Sequence, residues 1–263
     1  MESDLAIDDL GRNGYKLYQA EDGFKLGTAS VLLAWFASSF VRRNREDKTR
    51  MLELGSGIGS CAMCVAARLQ KVKIDCIEIQ QKPYEILVRN IELNNCSSRM
   101  RAYLAGIDSL PSEVKDISYD VVFMNPPFFS GMRGPRTDPS CENKLVSRFE
   151  SSNDLGDFIS AASRRTRPSG GYVCMCMAAS RLGECITLFG QNGLSPSRLM
   201  MCHSFEDKDA FLVLLAGKKG APSCDLRILP PLILNEWDKE GNVVRTPRLT
   251  AIYEEEHKDC FIL

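Results

Sequence analysis

Three stretches of the 263-residue chain hold residues whose types and spacing could do chemistry: "ELGSGIG" at 53–59, the carboxylate Glu78 closing "VKIDCIE", and "NPPF" at 125–128. Glycine lacks a Cβ, so Gly55, Gly57 and Gly59 let the backbone turn tightly and come close to a ligand. Their GxGxG spacing differs from the GxGxxG that seats a dinucleotide pyrophosphate on a helix N-terminus. The carboxylate of Glu53 suits a ligand with a positive ammonium group. Glu78 stands 19 residues beyond Gly59 (78 − 59), near the roughly 20-residue offset at which a carboxylate meets a bound ribose. S-adenosylmethionine has both an ammonium group and a ribose, and the two carboxylates are expected to grip its two ends.

"NPPF" follows the apolar run "YDVVFM" at 119–124, where a buried strand would end in an ordinary turn. Pro126 and Pro127 instead fix two φ angles and remove two backbone donors, so the loop keeps a set shape with outward carbonyls. The Asn125 amide oxygen and the Pro126 carbonyl then make two acceptors for one planar amino group. Such a pair draws the nitrogen lone pair out of conjugation and aims it at a sulfonium methyl without a strong base. Phe128 adds a face on which a flipped base could stack. The expected chemistry is methyl transfer to an exocyclic amine, with Asn125, Pro126, Pro127 and Phe128 at the reacting group. A proline turn closed by core aromatics is the plain structural alternative.

These residues need strands that end together at one edge of a sheet. The apolar "MLEL" at 51–54 runs into the glycines as a buried parallel strand feeding a helix does. Ile58, Cys61, Ala62, Val65, Ala66 and Leu69 then recur on one face of that helix. Further strands are expected at 72–79, 101–105, 119–124, 170–177, 198–205 and 210–217, and further helices at 29–41, 82–94, 154–166 and 181–191. This alternation predicts an α/β, Rossmann-like fold: a mostly parallel seven-stranded sheet with helices on both faces. The last two strands are joined only by "EDKD" at 206–209, so one of them must run antiparallel. One domain over 1–263 is expected, with a helical lead-in at about 18–48 and a C-terminal extension at about 218–263 that holds a hairpin around "DKEGN". The crevice beyond the carboxyl ends of such strands would collect the glycine loop, Glu78 and Asn125.

The 33 Lys and Arg nearly balance 34 Asp and Glu, which excludes a global field that draws the chain to nucleic acid. Basic surface must be local, with candidates in "VRRNR" at 41–45, "RGPR" at 133–136 and "RRTR" at 164–167. Eleven cysteines scattered through apolar runs such as "YVCMCM" read as small core hydrophobes of a reducing compartment, the cytoplasm, rather than a disulfide framework. Cys61 and Cys64 form a CxxC, but the two histidines, His203 and His257, have no matching spacing, so no metal site is expected. No apolar stretch nears the ~18 residues of a membrane span.

With "ELGSGIG" followed by "NPPF", the chain resembles the class I amino-methyltransferases, a group that modifies DNA adenine, ribosomal guanine or protein glutamine. "EDGFKLGTASVLLAWFA" at 21–37, "IDCIEI" at 74–79 and the final "DCFIL" narrow the resemblance to the bacterial tRNA(Val) adenine-N(6) methyltransferases, which act at position 37 of the anticodon loop. It runs from about Tyr18 to the C-terminus. The resemblance implies S-adenosylmethionine as cofactor and tRNA as partner. It implies Asn125, Pro126, Pro127 and Phe128 as the amino-group clamp, with Asn125 also bordering the cofactor. Gly55, Gly57 and Gly59 would form the cofactor loop beside Glu53, Glu78 would bind the ribose, and Lys25, Gly27 and Thr28 would lie over the methionine end.

The resemblance has two departures. Ala29 stands where the family usually has Asp after that Thr, and in "AGIDSL" Gly106 takes the place of another family Asp unless Asp108 shifts into its role; adenine-ring binding would weaken if neither carboxylate reaches. Arg148, in "SRFE", resembles an Arg-containing segment after the NPPF loop, and with Arg133 and Arg136 would contact phosphates. The same clamp would accept the exocyclic amine of a ribosomal guanine. The glutamine methyltransferases normally carry Tyr where Phe128 stands. A non-catalytic cofactor- and RNA-binding module is the reading outside enzymes.

Overall fold

A computed structural model describes residues 5–20, 26–126, 154–221 and 225–254. The chain opens with an antiparallel hairpin of β1 (Leu5–Asp9) and β2 (Lys16–Ala20). This corrects the start of the expected helical lead-in: in "KLYQA" Leu17 and Gln19 are buried between more exposed neighbours, the period of a strand. α1 (Thr28–Ser38) follows, and every residue from Val31 to Ser38 is buried, as befits a helix that is apolar all round. A 3-10 turn over Arg43–Lys48 then leads into β3 (Arg50–Leu54).

Strands and helices now alternate: α2 (Ser60–Arg68), β4 (Lys73–Glu78), α3 (Gln81–Leu93), β5 (Met100–Leu104), the single turn α4 (Ser112–Lys115) and β6 (Val121–Met124). α5 (Leu155–Arg165) starts with a capping box between Asp154 and Asp157. β7 (Tyr172–Ala178), α6 (Leu182–Gln191), β8 (Leu194–His203) and β9 (Ala210–Lys219) complete the regular part. β8 starts earlier than expected because Pro196, which reads as a break, sits beside a bulge in its pairing with β9.

The main sheet has the order β8, β9, β7, β6, β3, β4, β5, with β10 (Arg227–Ile228) and β11 (Leu232–Ile233) both laid along the outer side of β8. All the long strands are parallel except β9, which is antiparallel to both neighbours, as the turn between β8 and β9 demands. The expected seven strands are present, but among the described residues the sheet has nine. β10 and β11 are two residues each and owe their place to pairing with β8, so no periodic signal marks them. β12 (Asn235–Trp237) and β13 (Val243–Arg245) form the hairpin expected around "DKEGN", its turn held by the Asp238 carboxylate, and α7 (Pro247–Tyr253) follows.

One apolar cluster joins α1, α2, α3 and α7 to one face of the sheet, and a second joins α4, α5 and α6 to the other. From β3 the chain steps out to β4 and β5, then returns to β6 on the other side of β3. That reversal opens a crevice at the carboxyl ends of β3, β4 and β6. Among the described residues no helix is long and apolar enough to cross a membrane.

Candidate active site

β3 ends in the glycine loop. Gly55, Gly57 and Gly59 all have positive φ, at 70°, 55° and 84°, a region that L side chains rarely adopt. Gly59 caps α2, and a Cβ there would lie 2.5 Å from Leu87 Cδ1. At Gly57 nothing stands within 4 Å of where a Cβ would be, so this side of the loop is open to a ligand.

Glu78, at the end of β4, holds this loop in shape. Its Oε2 accepts the Gly57 amide at 2.7 Å and its Oε1 the Gln80 amide at 2.8 Å. A carboxylate oxygen has two lone pairs, so each can accept a further hydroxyl. Burial raises the Glu78 carboxyl above its ordinary range, against the pull of these amides. Glu53 turns inward: it is 2% exposed, and its Oε2 accepts the Ala62 amide in the first turn of α2 at 3.2 Å. Burial, with a smaller push from the Glu78 charge, holds its carboxyl well above the usual range. Two carboxyls near one glycine loop, both made reluctant to ionise, form a site that a cation would relieve.

Leu54 pairs with Met124, so Asn125 leaves β6 beside the point where Gly55 leaves β3. Asn125 is half-buried, Pro126 is buried, and the Asn125 Oδ1 accepts from the Cys176 thiol at 3.3 Å. Asp108 lies in the loop after β5, where the Ala105 amide bonds the Glu78 carbonyl at 2.9 Å. A Cβ built on Gly106 would come within 2.5 Å of Asp108 Oδ1, so the Asp108 carboxylate fills the space that a side chain at 106 would take.

Gly27 caps α1, and Thr28 opens it. The Thr28 hydroxyl accepts from the Tyr253 hydroxyl at 3.3 Å and lines a cavity of about 540 Å³ with Arg12, Cys64, Arg68 and Tyr253; neither the glycine loop nor Asn125 borders that cavity. Lys25, Pro127, Phe128, Arg133, Arg136 and Arg148 lie outside the described residues. Sequence reasoning missed Asn90, which is 0% exposed on α3. Its Nδ2 donates to the Ile58 carbonyl of the glycine loop at 2.9 Å, and its Oδ1 accepts the Tyr18 amide of β2 at 2.6 Å. An amide in the buried stripe with Leu87 and Ile91 was the available signal.

A family model described as "Methyltransferase small domain" matches residues 26–148. The tRNA1(Val) (adenine(37)-N6)-methyltransferase of Flavobacterium psychrophilum is 26% identical over 82% of this chain and 87% of its own length. The protein of the same name from Dyadobacter fermentans is 26% identical over 85% of this chain and 86% of its own. Among solved structures, a predicted O-methyltransferase from Agrobacterium tumefaciens superposes with a TM-score of 0.62 at 23% identity, covering 84% of this chain and 94% of that one.

Proposed function

We propose, for a chain with the Rossmann-like class I methyltransferase fold and a methyltransferase small domain, that it methylates the exocyclic N(6) of adenine in tRNA, at position 37 of the anticodon loop of tRNA(Val). The methyl donor is S-adenosylmethionine, which when bound supplies a methyl group activated on a sulfonium. The observation that carries this reading is the meeting, at one edge of the sheet, of an open glycine loop, the ribose-ready Glu78 and the Asn125–Pro126 corner. The names of the relatives from Flavobacterium psychrophilum and Dyadobacter fermentans support the choice of tRNA and of adenine.

In this reading Gly55, Gly57 and Gly59 bring the backbone against the cofactor, Glu78 accepts its ribose hydroxyls, and Glu53 lies nearest its ammonium. Asp108 stands in for a side chain at Gly106 beside the adenine ring. By the resemblance Lys25, Gly27 and Thr28 would lie over the methionine end, although the Thr28 hydroxyl lines a cavity that the glycine loop does not border. Asn125 Oδ1 and the Pro126 carbonyl accept the two amino protons of the target base, which localises the nitrogen lone pair. Pro127 stiffens the corner, Phe128 stacks the flipped ring, and Arg133, Arg136 and Arg148 meet phosphates. Eight described cysteines, all free and buried, suit a reducing cytoplasm.

The test is single-turnover methylation with excess enzyme, followed by mass spectrometry of nucleosides. Wild type is expected to yield N(6)-methyladenosine in the anticodon loop of tRNA(Val). Asn125→Ala is expected to lose about 10²–10³-fold in rate, the scale set by one preorganised hydrogen-bonding group, with cofactor affinity kept. Full activity in that variant would refute the clamp. A methylated guanine in ribosomal RNA with untouched tRNA would replace the substrate.

A further inference from the structure

The clamp reading leaves one question about Asn125: what decides which way its amide faces? An Asn side chain can present oxygen or NH2 by a half-turn about χ2, and the torsion is broad and roughly two-fold. Only the oxygen can accept from an amine. β6 and β7 are parallel neighbours in register, Met124 opposite Met175, so the next residues along, Asn125 and Cys176, face each other on the side of the sheet that α1 covers. Cys176 is 0% exposed, and its Sγ lies 3.3 Å from Asn125 Oδ1.

We propose that Cys176 is a positioning residue: its thiol proton is donated to Asn125 Oδ1 and locks the amide with its oxygen as the acceptor, leaving that oxygen's second lone pair for the target amine. The inference rests on the clamp reading and adds to it the device that orients the clamp. A thiol suits the task. Burial pushes it up, well clear of neutral pH, so it stays a donor and brings no charge beside a site that must accept a cation. The wrong rotamer would set two donors, the amide NH2 and the buried S–H, against each other.

The experiment uses the full chain with Cys176→Ala and Cys176→Val, which remove the donor with less or more bulk, and Cys176→Ser, which keeps a donor. Single-turnover rate, cofactor affinity by calorimetry and melting temperature are read for each, with Asn125→Ala alongside. The expected result is a rate lower by about fivefold in the Ala and Val variants, the net worth of one ordinary hydrogen bond. Cofactor affinity should be unchanged, and the Ser variant should return most of the rate. Wild-type rate in the Ala or Val variant, while Asn125→Ala is inactive, would overturn the role of Cys176 and leave the clamp standing. Equal losses in all three Cys176 variants, in step with melting temperature, would overturn it too by assigning Cys176 to packing. An active Asn125→Ala would instead bring down the clamp itself.

Discussion

Glu78 binds the Gly57 amide with one oxygen and the Gln80 amide with the other, so its removal loosens the loop and, in the proposed reading, takes away the ribose acceptor at once. Glu78→Ala is expected to weaken both S-adenosylmethionine and its demethylated product by about 10- to 100-fold, the range for a hydrogen bond to a charged group. Unchanged calorimetric affinity would remove Glu78 from the site. Glu53 gives a pH test whose sign is set by burial. Its folded carboxyl titrates above its unfolded value, so the folded state holds the proton more tightly. The stability it contributes is therefore full below the unfolded value and is lost as pH rises through the folded one. The melting temperature without ligand should fall across that interval, and Glu53→Gln should flatten the slope. If the cofactor ammonium pairs with the ionised form, as the proposed reading has it, stabilisation by the cofactor should grow across the same interval. The pattern of glycines and the offset of Glu78 made the closeness of this loop and this carboxylate legible in the sequence. The inward turn of Glu53 was not legible, because it depends on the Ala62 amide that α2 presents only once the loop has closed.

At the scale of elements, the glycine loop is held from outside by α3. Gly59→Ala would force a side chain into φ 84° and against Leu87. The left-handed strain alone costs about 1–2 kcal/mol. A lowered melting temperature together with weaker cofactor binding is expected, and a variant as stable and as tight as wild type would remove α3 as the loop's backstop. Asn90→Leu keeps bulk but strands the Ile58 carbonyl and the Tyr18 amide. It should cost about 1–3 kcal/mol of stability in chemical denaturation, as buried polar groups left unsatisfied do. The central strands could be read because strands buried on both faces run as unbroken apolar segments, "VVFM" of β6 being buried at all four positions. β10 and β11 could not: each is two residues long and exists through pairing with β8, distant in sequence.

Over the whole molecule, a net charge of −1 means that attraction to RNA must come from a local surface. Two of the three basic clusters stand away from the carboxyl edge. "RRTR" precedes β7, where Arg167 pairs with Asp120, Arg165 donates to the Lys115 carbonyl and Arg164 to Ser160; "VRRNR" leads into the start of β3. Both serve the amino ends of the strands, opposite the candidate site. Arg133 and Arg136 of the third cluster follow shortly after the Asn125–Pro126 corner in the chain, and Arg148 follows further on. Phosphate binding by these three is a proposal that salt dependence can test. Each phosphate neutralised adds roughly 0.7–0.9 to the slope of log affinity against log salt. Replacing all three arginines with alanine should therefore lower the slope for tRNA by about 2–3, weaken binding at low salt and leave cofactor affinity unchanged. Replacing Arg164, Arg165 and Arg167 instead should leave the slope alone and lower stability through the lost contacts with Asp120 and Lys115. Equal salt slopes for wild type and the Arg133, Arg136 and Arg148 variant would place RNA binding elsewhere on the surface.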